Sequence, residues 1–300
     1  MKIGDIEGKL LRFRVGDAAV SITDNGDSAI RLIEITRIPE GEWDEKYSES
    51  FNTLRLFPSQ SAYISLPERK ASILVDPNDY SLSNPPGSEY SAPASYIPPP
   101  GYIDQLKTIG VLPSDITQVI ITHAHYDHYA GITTRKNDSL FVPTFPNAKC
   151  YLGRRDWERK ETQDELKKQG SEVSNSLAVI KKEGLLDLVD GRLELFPEVS
   201  LIPAPGESPG HQIVRLSSGK KVFYCLGDLF HDPAEVEHQS WMSTWAEQES
   251  NVRSRSLLTK AAIEEDALLL ASHMPIGRLS RKSSGAVEWV PEKIETLQKD

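Results

Sequence analysis

Cysteine is scarce in this chain: two among 300 residues, Cys150 and Cys225. Two cysteines make no disulfide framework of the small secreted kind. Each stands in an apolar, strand-like phrase (AKCYL and VFYCLG), and neither has a second Cys or a His at zinc-finger spacing. Both therefore read as buried free thiols. Long hydrophobic runs are also missing. No segment reaches the roughly 20 apolar residues of a membrane span, and the opening stretch, MKIGDIEGKLLRFRVGD, lacks the apolar core of a signal peptide. A cytoplasmic location with no membrane partner is the expectation. Positive charge is in deficit, with 34 Lys and Arg against 44 Asp and Glu and a net charge of −10. That excludes a general nucleic-acid or anionic-lipid surface.

What is present is the composition of an ordinary globular protein, 38% hydrophobic and 26% charged. No clean linker and no internal repeat divides it, so residues 1–300 are expected to form a single domain. Short apolar, β-branched runs read as strands: Ala29–Ile35, Ala62–Ser65, Ser72–Val75, Gln118–Thr122, Lys149–Leu152, Val199–Ile202, Gln212–Leu216, Lys221–Leu226 and Ala267–Ala271. Helical patterns fall at Tyr102–Ile109, Arg155–Lys168, Val173–Glu183 and Val252–Glu265. Strands lead and helices then alternate with them, which favours an α/β (α+β) fold with helices covering sheets. The segment Asn78–Gly101, rich in Pro, Ser and Tyr, reads as an ordered loop and a candidate lid.

Seven histidines occur, and three of them fall within six positions: His123-Ala124-His125-Tyr126-Asp127-His128. Three imidazoles and a carboxylate so close together are the donors of a metal site, and metal ions held there make hydroxide available at neutral pH. The approach to each further candidate follows one pattern. The apolar run Gln118–Thr122 leads into His123, Lys221–Gly227 into Asp228, and Ala267–Ser272 into His273. Strand ends hold donors more firmly than loops do. A fourth element, Pro205-Gly206-Glu207-Ser208-Pro209-Gly210-His211, bends tightly before a strand.

HxHxDH after a strand, a Pro-Gly-His turn, a strand ending in Gly-Asp and a late strand ending in His together resemble the metallo-β-lactamase superfamily. The ordered match runs from about Ser61 to Arg278, with Ile73–Asp76 resembling the early strand and aspartate of that family. The resemblance implies an αββα sandwich: two mixed β-sheets packed face to face with helices outside. It implies two divalent metal ions, zinc first, with iron, manganese or cobalt as alternatives. His123, His125 and His211 would hold one ion, and Asp127, His128 and His273 the other, with Asp228 bridging. Asp76 is expected to hydrogen-bond backbone or a ligand histidine. Many relatives carry His where Glu207 stands, and the cysteine ligand of true β-lactam-hydrolysing enzymes is replaced by Asp228, which argues against an antibiotic-resistance enzyme.

A bridging hydroxide between two such ions would attack a polarised carbonyl, and Asp127 is the candidate catalytic residue for passing the proton to the leaving group. The stretch Gly227–Val236 with Trp241, and the phrase Gly210-His211-Gln212, resemble the acyl-homoserine lactonase and methyl parathion hydrolase subgroup, with the fungal benzoxazolinone-type lactamases also similar. The expected substrate is a small, neutral, partly apolar lactone or related cyclic ester, carbamate or lactam, opened in quorum quenching or detoxification. Phosphotriester or thioester hydrolysis at the same site is the alternative, and a di-iron redox role is a further one. Phe230, Trp241, Trp245 and the loop tyrosines are candidates for an apolar pocket, with core packing expected for at least one of the tryptophans. His231 reads as a histidine behind the ligands or one that touches substrate, and a homodimer is a possible assembly.

Overall fold

The computed structural model describes residues 10–85, 87–88, 90–137 and 140–294. Most of the opening stretch discussed above, and Pro86 of the Pro-rich loop, therefore lie outside the described residues. The chain runs through β1 (Leu11–Val15), β2 (Ala18–Ile30), β3 (Thr36–Arg37), β4 (Arg55–Leu66), β5 (Ala71–Val75), β6 (Gln118–Ile120), β7 (Thr133–Asn137), β8 (Leu140–Pro143), β9 (Lys149–Gly153) and β10 (Leu186–Val189). It continues through β11 (Leu193–Phe196), β12 (Val199–Pro203), β13 (Gln212–Ser218), β14 (Lys221–Cys225), β15 (Met242–Ser243), β16 (Leu268–Leu270), β17 (Gly277–Arg281) and β18 (Val287–Pro291).

Two seven-stranded sheets result, in the orders β1-β2-β4-β5-β6-β9-β10 and β11-β12-β13-β14-β16-β17-β18. Both are mixed. β5, β6, β9 and β10 run parallel in the first sheet, and β14 pairs β16 in parallel in the second. Strand alternation explains how they stack. Ile73 and Val75 of β5 face inward with Ile120, and they meet Val214, Leu216, Phe223 and Leu270 of the second sheet in one dry layer. Leu74, Val119 and Ile121 face the other way, onto Leu106, Leu177 and Ile180 of the flanking helices. Both faces are buried, so these strands read as continuous apolar runs rather than as alternating ones. Leu269 and Tyr224 meet Leu258 and Ala262 of the helix Gln248–Glu264 on the far side. The outcome is the expected αββα sandwich.

Several local expectations are corrected. Ala29–Ile35 is not one strand: β2 ends at Ile30, and Leu32–Ile35 makes a single helical turn that inserts Leu32 and Ile35 beside Phe51 and Trp241. Arg155–Lys168 is broken into Arg154–Glu158 and Lys160–Glu165, because Arg159 between them is extended and turns its guanidinium to the Ala124 carbonyl at 2.6 Å. Val173–Glu183 also breaks, at Ser176, whose hydroxyl turns back to the Glu172 carbonyl. The long helix does form, but Leu257 points to solvent. The buried stripe is Asn251, Ser254, Arg255, Leu258, Thr259 and Ala262, at helical spacing. Polar residues fill that stripe because Arg255 reaches the Leu229 carbonyl at 2.7 Å and Glu235 at 2.6 Å.

Candidate metal centre

The strand ends of both sheets meet at one edge of the sandwich. The first sheet delivers the loop after β6, which carries His123, His125, Asp127 and His128. The second delivers His211 just before β13, Asp228 after β14 and His273 after β16. The loop after β6 is pinned from several sides. Asp76, at the end of β5, accepts from the Thr122 amide at 2.7 Å and the Thr122 hydroxyl at 2.8 Å. Asp156, fully buried, accepts from the Ala124 amide at 2.8 Å, the Ser208 hydroxyl at 2.7 Å and the Gly210 amide at 2.6 Å. One carboxylate thus ties the HxHxDH loop to the turn that presents His211.

The donors fall into two groups with ligand atoms within 4.8 Å of one another. One holds Asp127, His128, Asp228 and His273, and the other holds His123, His125, Asp228 and Glu207. Asp228 belongs to both. Its Oδ2 lies 3.2 Å from His128 Nε2 and 3.6 Å from His123 Nε2, and its Oδ1 lies 3.3 Å from His273 Nε2. His211 falls outside both groups, with its ring 5.1 Å from that of His123. Its Nε2 is buried and has no hydrogen-bond partner, as is also true of Asp228 Oδ1. Gly227 allows this close packing. It has φ +54°, and a Cβ there would meet Thr122 Oγ1 at 2.5 Å and His211 Nε2 at 2.9 Å.

The histidine rings are oriented by the nitrogens that point away from the centre. His128 Nδ1 bonds Asp76 Oδ2 at 3.1 Å, as expected for Asp76, while His211 Nδ1 donates to the Ala204 carbonyl at 3.1 Å and His273 Nδ1 to the Pro58 carbonyl at 2.6 Å. Each turns Nε2 toward the centre, which is the arrangement that metal-ligating histidines take. Burial lowers the proton affinity of His125 to about 4 and of His211 to about 3, and holds His123 well below the usual imidazole range with help from His128 and His125. These imidazoles are neutral at pH 7, the form that binds metal. Burial alone would raise Asp228, but His128 and His273 outweigh it and hold the carboxyl well below the usual range. Converging lone pairs, an orphaned buried nitrogen and a mixed imidazole–carboxylate donor set fit divalent ions of the zinc, manganese or iron type.

Beside this cluster opens a cavity of about 490 Å³, walled by Ile30, Ile35, Phe57, Tyr90 and Trp245, with His125, Asp127, Asp228, His231 and His273 at its base. Among the described residues no Lys or Arg lines it. Asp127 is the carboxylate of the cluster most open to it, with its side chain 36% exposed. The Pro-rich loop forms a wall of the cavity through Ser83, Asn84, Ser88 and Tyr90, and it is fixed to β2 by the Ala29 amide on the Tyr90 carbonyl at 2.9 Å and the Asp27 amide on the Tyr96 hydroxyl at 2.8 Å. Of the aromatic candidates, Trp245 and Tyr90 line the cavity. Phe230 and Trp241 are fully buried elsewhere: Phe230 sits under the Arg255 guanidinium, and Trp241 stacks on Trp43. His231 is buried at the base of the cavity, its ring 3.4 Å from Asp228 and 3.5 Å from Glu235. Asp156 and the inward turn of Glu207 escaped the sequence reading. An aspartate in a helix 28 residues past His128 carries no spacing signal, and Glu207 stood out only as a departure from a family phrase.

These features have counterparts in other proteins. N-acyl homoserine lactonase AttM of Agrobacterium fabrum is 27% identical over 180 residues, covering 58% of this chain and 64% of that protein. An N-acyl homoserine lactonase of Bacillus cereus is 28% identical over 115 residues, covering 38% of each. The chain thus spans less than two thirds of the length of these lactonases. Among solved structures, a hydrolase of the beta lactamase superfamily, AbOPH, superposes with a TM-score of 0.75 at 17% identity over 96% of this chain and 98% of that one. The dizinc quorum-quenching lactonase AidC, in complex with a product N-hexanoyl-homoserine, gives 0.73 at 21% over 96% and 99%. A family model matches residues 86–249, more than half the chain and a range that includes every candidate donor except His273. With its paired sheets and its donors gathered at their shared edge, the chain belongs to the metallo-beta-lactamase superfamily.

Proposed function

We propose that this protein is a dinuclear-metal hydrolase that uses a bridging hydroxide to open a lactone or a related cyclic ester, carbamate or lactam. The observation that supports it most directly is the gathering of His123, His125, Asp127, His128 and His273 around Asp228, at the base of a cavity with no Lys or Arg among its described lining residues. His123, His125 and His211 would hold one ion and Asp127, His128 and His273 the other, with Asp228 between them. Two divalent ions so placed supply Lewis acidity and a shared hydroxide at neutral pH. The chain supplies the rest. Asp76, Asp156 and the Ala204 and Pro58 carbonyls hold the imidazoles in position, so little reorganisation is needed during reaction. Ile30, Ile35, Phe57 and Trp245 take the apolar arm of the substrate and exclude water from it. Ring opening would exchange the ring carbon–oxygen bond for a bond to the hydroxide oxygen, and Asp127 would take up the proton of that hydroxide and pass it to the departing oxygen.

The similarity to N-acyl homoserine lactonases favours a lactone ring. A phosphotriester is the second reading, since a wall with no Lys or Arg among its described residues suits that neutral ester equally well. A thioester on an anionic carrier is disfavoured by the lack of cationic groups in the wall. The test is metal analysis of purified protein followed by turnover on a panel of lactones, lactams, aryl esters and phosphotriesters. The expected result is about two equivalents of divalent metal and highest kcat/KM on a lactone. Turnover that survives full removal of metal would refute the reading, and preference for a phosphotriester would replace its substrate.

A further inference from the structure

Glu207 has no role in the scheme above, yet it is 2% exposed and aimed at the centre. Its Oε2 accepts from the Ser243 hydroxyl at 2.5 Å, and its Oε1 accepts from the Trp245 indole N–H. Oε1 also lies 3.6 Å from His125 Nδ1 and 3.8 Å from His231 Nε2. Among the described residues these histidines are its only ion-pair partners. A buried carboxylate held by two neutral donors, and paired with histidines alone, is costly unless positive charge stands nearby. Two donors also leave lone pairs of the carboxylate unused.

The spacing suits a shared ion. Donors about 2.1 Å from one octahedral centre lie about 3.0 Å apart when adjacent and about 4.2 Å apart when opposite. Here His123 Nε2 to His125 Nδ1 is 2.8 Å, His125 Nδ1 to Glu207 Oε1 is 3.6 Å and His123 Nε2 to Asp228 Oδ2 is 3.6 Å. The backbone that carries Glu207 is fixed on both sides. Gly206, at φ +143°, packs so closely on Asn251 that a Cβ would meet its Cα at 2.3 Å, and Ser208 is tied to Asp156 at 2.7 Å.

We propose that Glu207 is an additional metal ligand at the position of His123 and His125, and that it shifts that position toward manganese(II) or iron(II) over zinc. The inference rests on the dinuclear reading above. With His123, His125 and Asp228 of its own group, and with the orphaned His211 Nε2 drawn in from outside that group, Glu207 would make five protein donors, three nitrogens and two carboxylates. A shared hydroxide makes six, a number that suits octahedral, oxygen-preferring ions and not the four-coordinate habit of zinc.

The experiment is metal competition. Chelated protein is dialysed against equal zinc and manganese, and separately against equal zinc and iron(II) without oxygen. Bound metals are then quantified for the wild type, Glu207→Gln and Glu207→His. The expected result is a ratio of manganese to zinc that falls at least about tenfold in Glu207→Gln, with the second position unaffected. Cobalt(II) loading of the wild type gives an independent measure, because its visible bands are weak at five- or six-coordination and intense at four. Two bound ions with an unchanged manganese-to-zinc ratio in Glu207→Gln would overturn the inference alone, leaving Glu207 as a packing partner of Trp245. An intense four-coordinate cobalt spectrum at both positions of the wild type would also overturn it, even if neither variant folds. A wild type that binds no pair of ions would overturn the dinuclear reading as well.

Discussion

Replacing Asp156 is the sharpest test of how the centre is built, because Asp156 touches none of the proposed metal positions. Its carboxylate accepts three hydrogen bonds in a dry interior, from Ala124, Ser208 and Gly210. Hydrogen bonds to a charged acceptor contribute about 1.5–3 kcal/mol each. In Asp156→Asn one oxygen becomes an NH₂ group. Placed toward Gly210, it sets two donors against each other and leaves two weakened neutral bonds at Ala124 and Ser208. The expected cost is roughly 2–4 kcal/mol, a large part of the roughly 5–15 kcal/mol that holds a domain folded. The functional effect follows from position. Ala124 separates His123 from His125, and Gly210 precedes His211, so three donors lose their common anchor. Metal affinity is expected to fall about 10- to 100-fold. Urea denaturation of metal-free protein measures the first effect, and competition with a metallochromic chelator measures the second. An unfolding free energy within about 0.5 kcal/mol of wild type, together with unchanged affinity, would refute the claim that this carboxylate joins the two halves of the centre.

Other perturbations test separate parts of the picture. Asp228→Asn removes the one carboxylate common to both donor groups; it is expected to lose at least one equivalent of metal and roughly 100-fold or more in kcat, which metal analysis beside kinetics would show. Tyr90→Ala opens the wall supplied by the Pro-rich loop, and KM for apolar substrates is expected to rise roughly three- to tenfold at unchanged metal content; equal KM values would mean that the loop is not part of the substrate surface. Glu237 accepts from Lys46 at 2.7 Å, Tyr47 at 3.0 Å and Lys282 at 3.1 Å, and Lys46 first, then Lys282 and Tyr47, hold it down to about 2 from its usual 4.5. A depressed carboxyl stabilises the fold above pH 4.5, and that contribution is lost as pH falls toward 2. Glu237→Gln is therefore expected to cost about 1 kcal/mol at pH 7, a modest figure because Lys46 is half exposed, and progressively less between pH 4.5 and 2. Denaturation curves of both proteins across that range provide the check, and a pH-independent difference would count against it.

Much of the centre was legible because its chemistry is local in sequence. HxHxDH packs four donors into one loop, and Asp228 and His273 each end an apolar strand, so burial and polarity change sign within one or two residues. The inner strands were legible for the same reason: Ile73–Val75 and Val119–Ile121 are buried on both faces and leave a continuous apolar signature. Where the sequence misled, tertiary demands prevailed. Arg255 and Asn251 share the buried face of a helix with Leu258 and Ala262 while Leu257 is exposed, because part of that face serves the loop after β14. Phe230 looked like a pocket residue from its nearness to Asp228, but the chain turns there and sends the ring inward. Asp156 and Glu207 act on the centre across long stretches of chain, and no pattern in a single sequence records such a meeting.

The placement of donors on two sheets has a mechanical meaning. His123, His125, Asp127 and His128 belong to one layer of the sandwich, and His211, Asp228 and His273 to the other, so any ion shared between them is a rivet through the seam. Elsewhere along that seam, apart from ties such as Arg69 to Glu198 at 2.8 Å, cohesion comes from hydrophobic contact, which is non-directional and lets the layers slip by small amounts. At this edge a bound ion would fix their register and add its binding free energy to folding, by an amount that grows with the logarithm of its concentration over its dissociation constant. Metal supply would then set two properties together, the rate of the reaction and the rigidity with which the two layers are held.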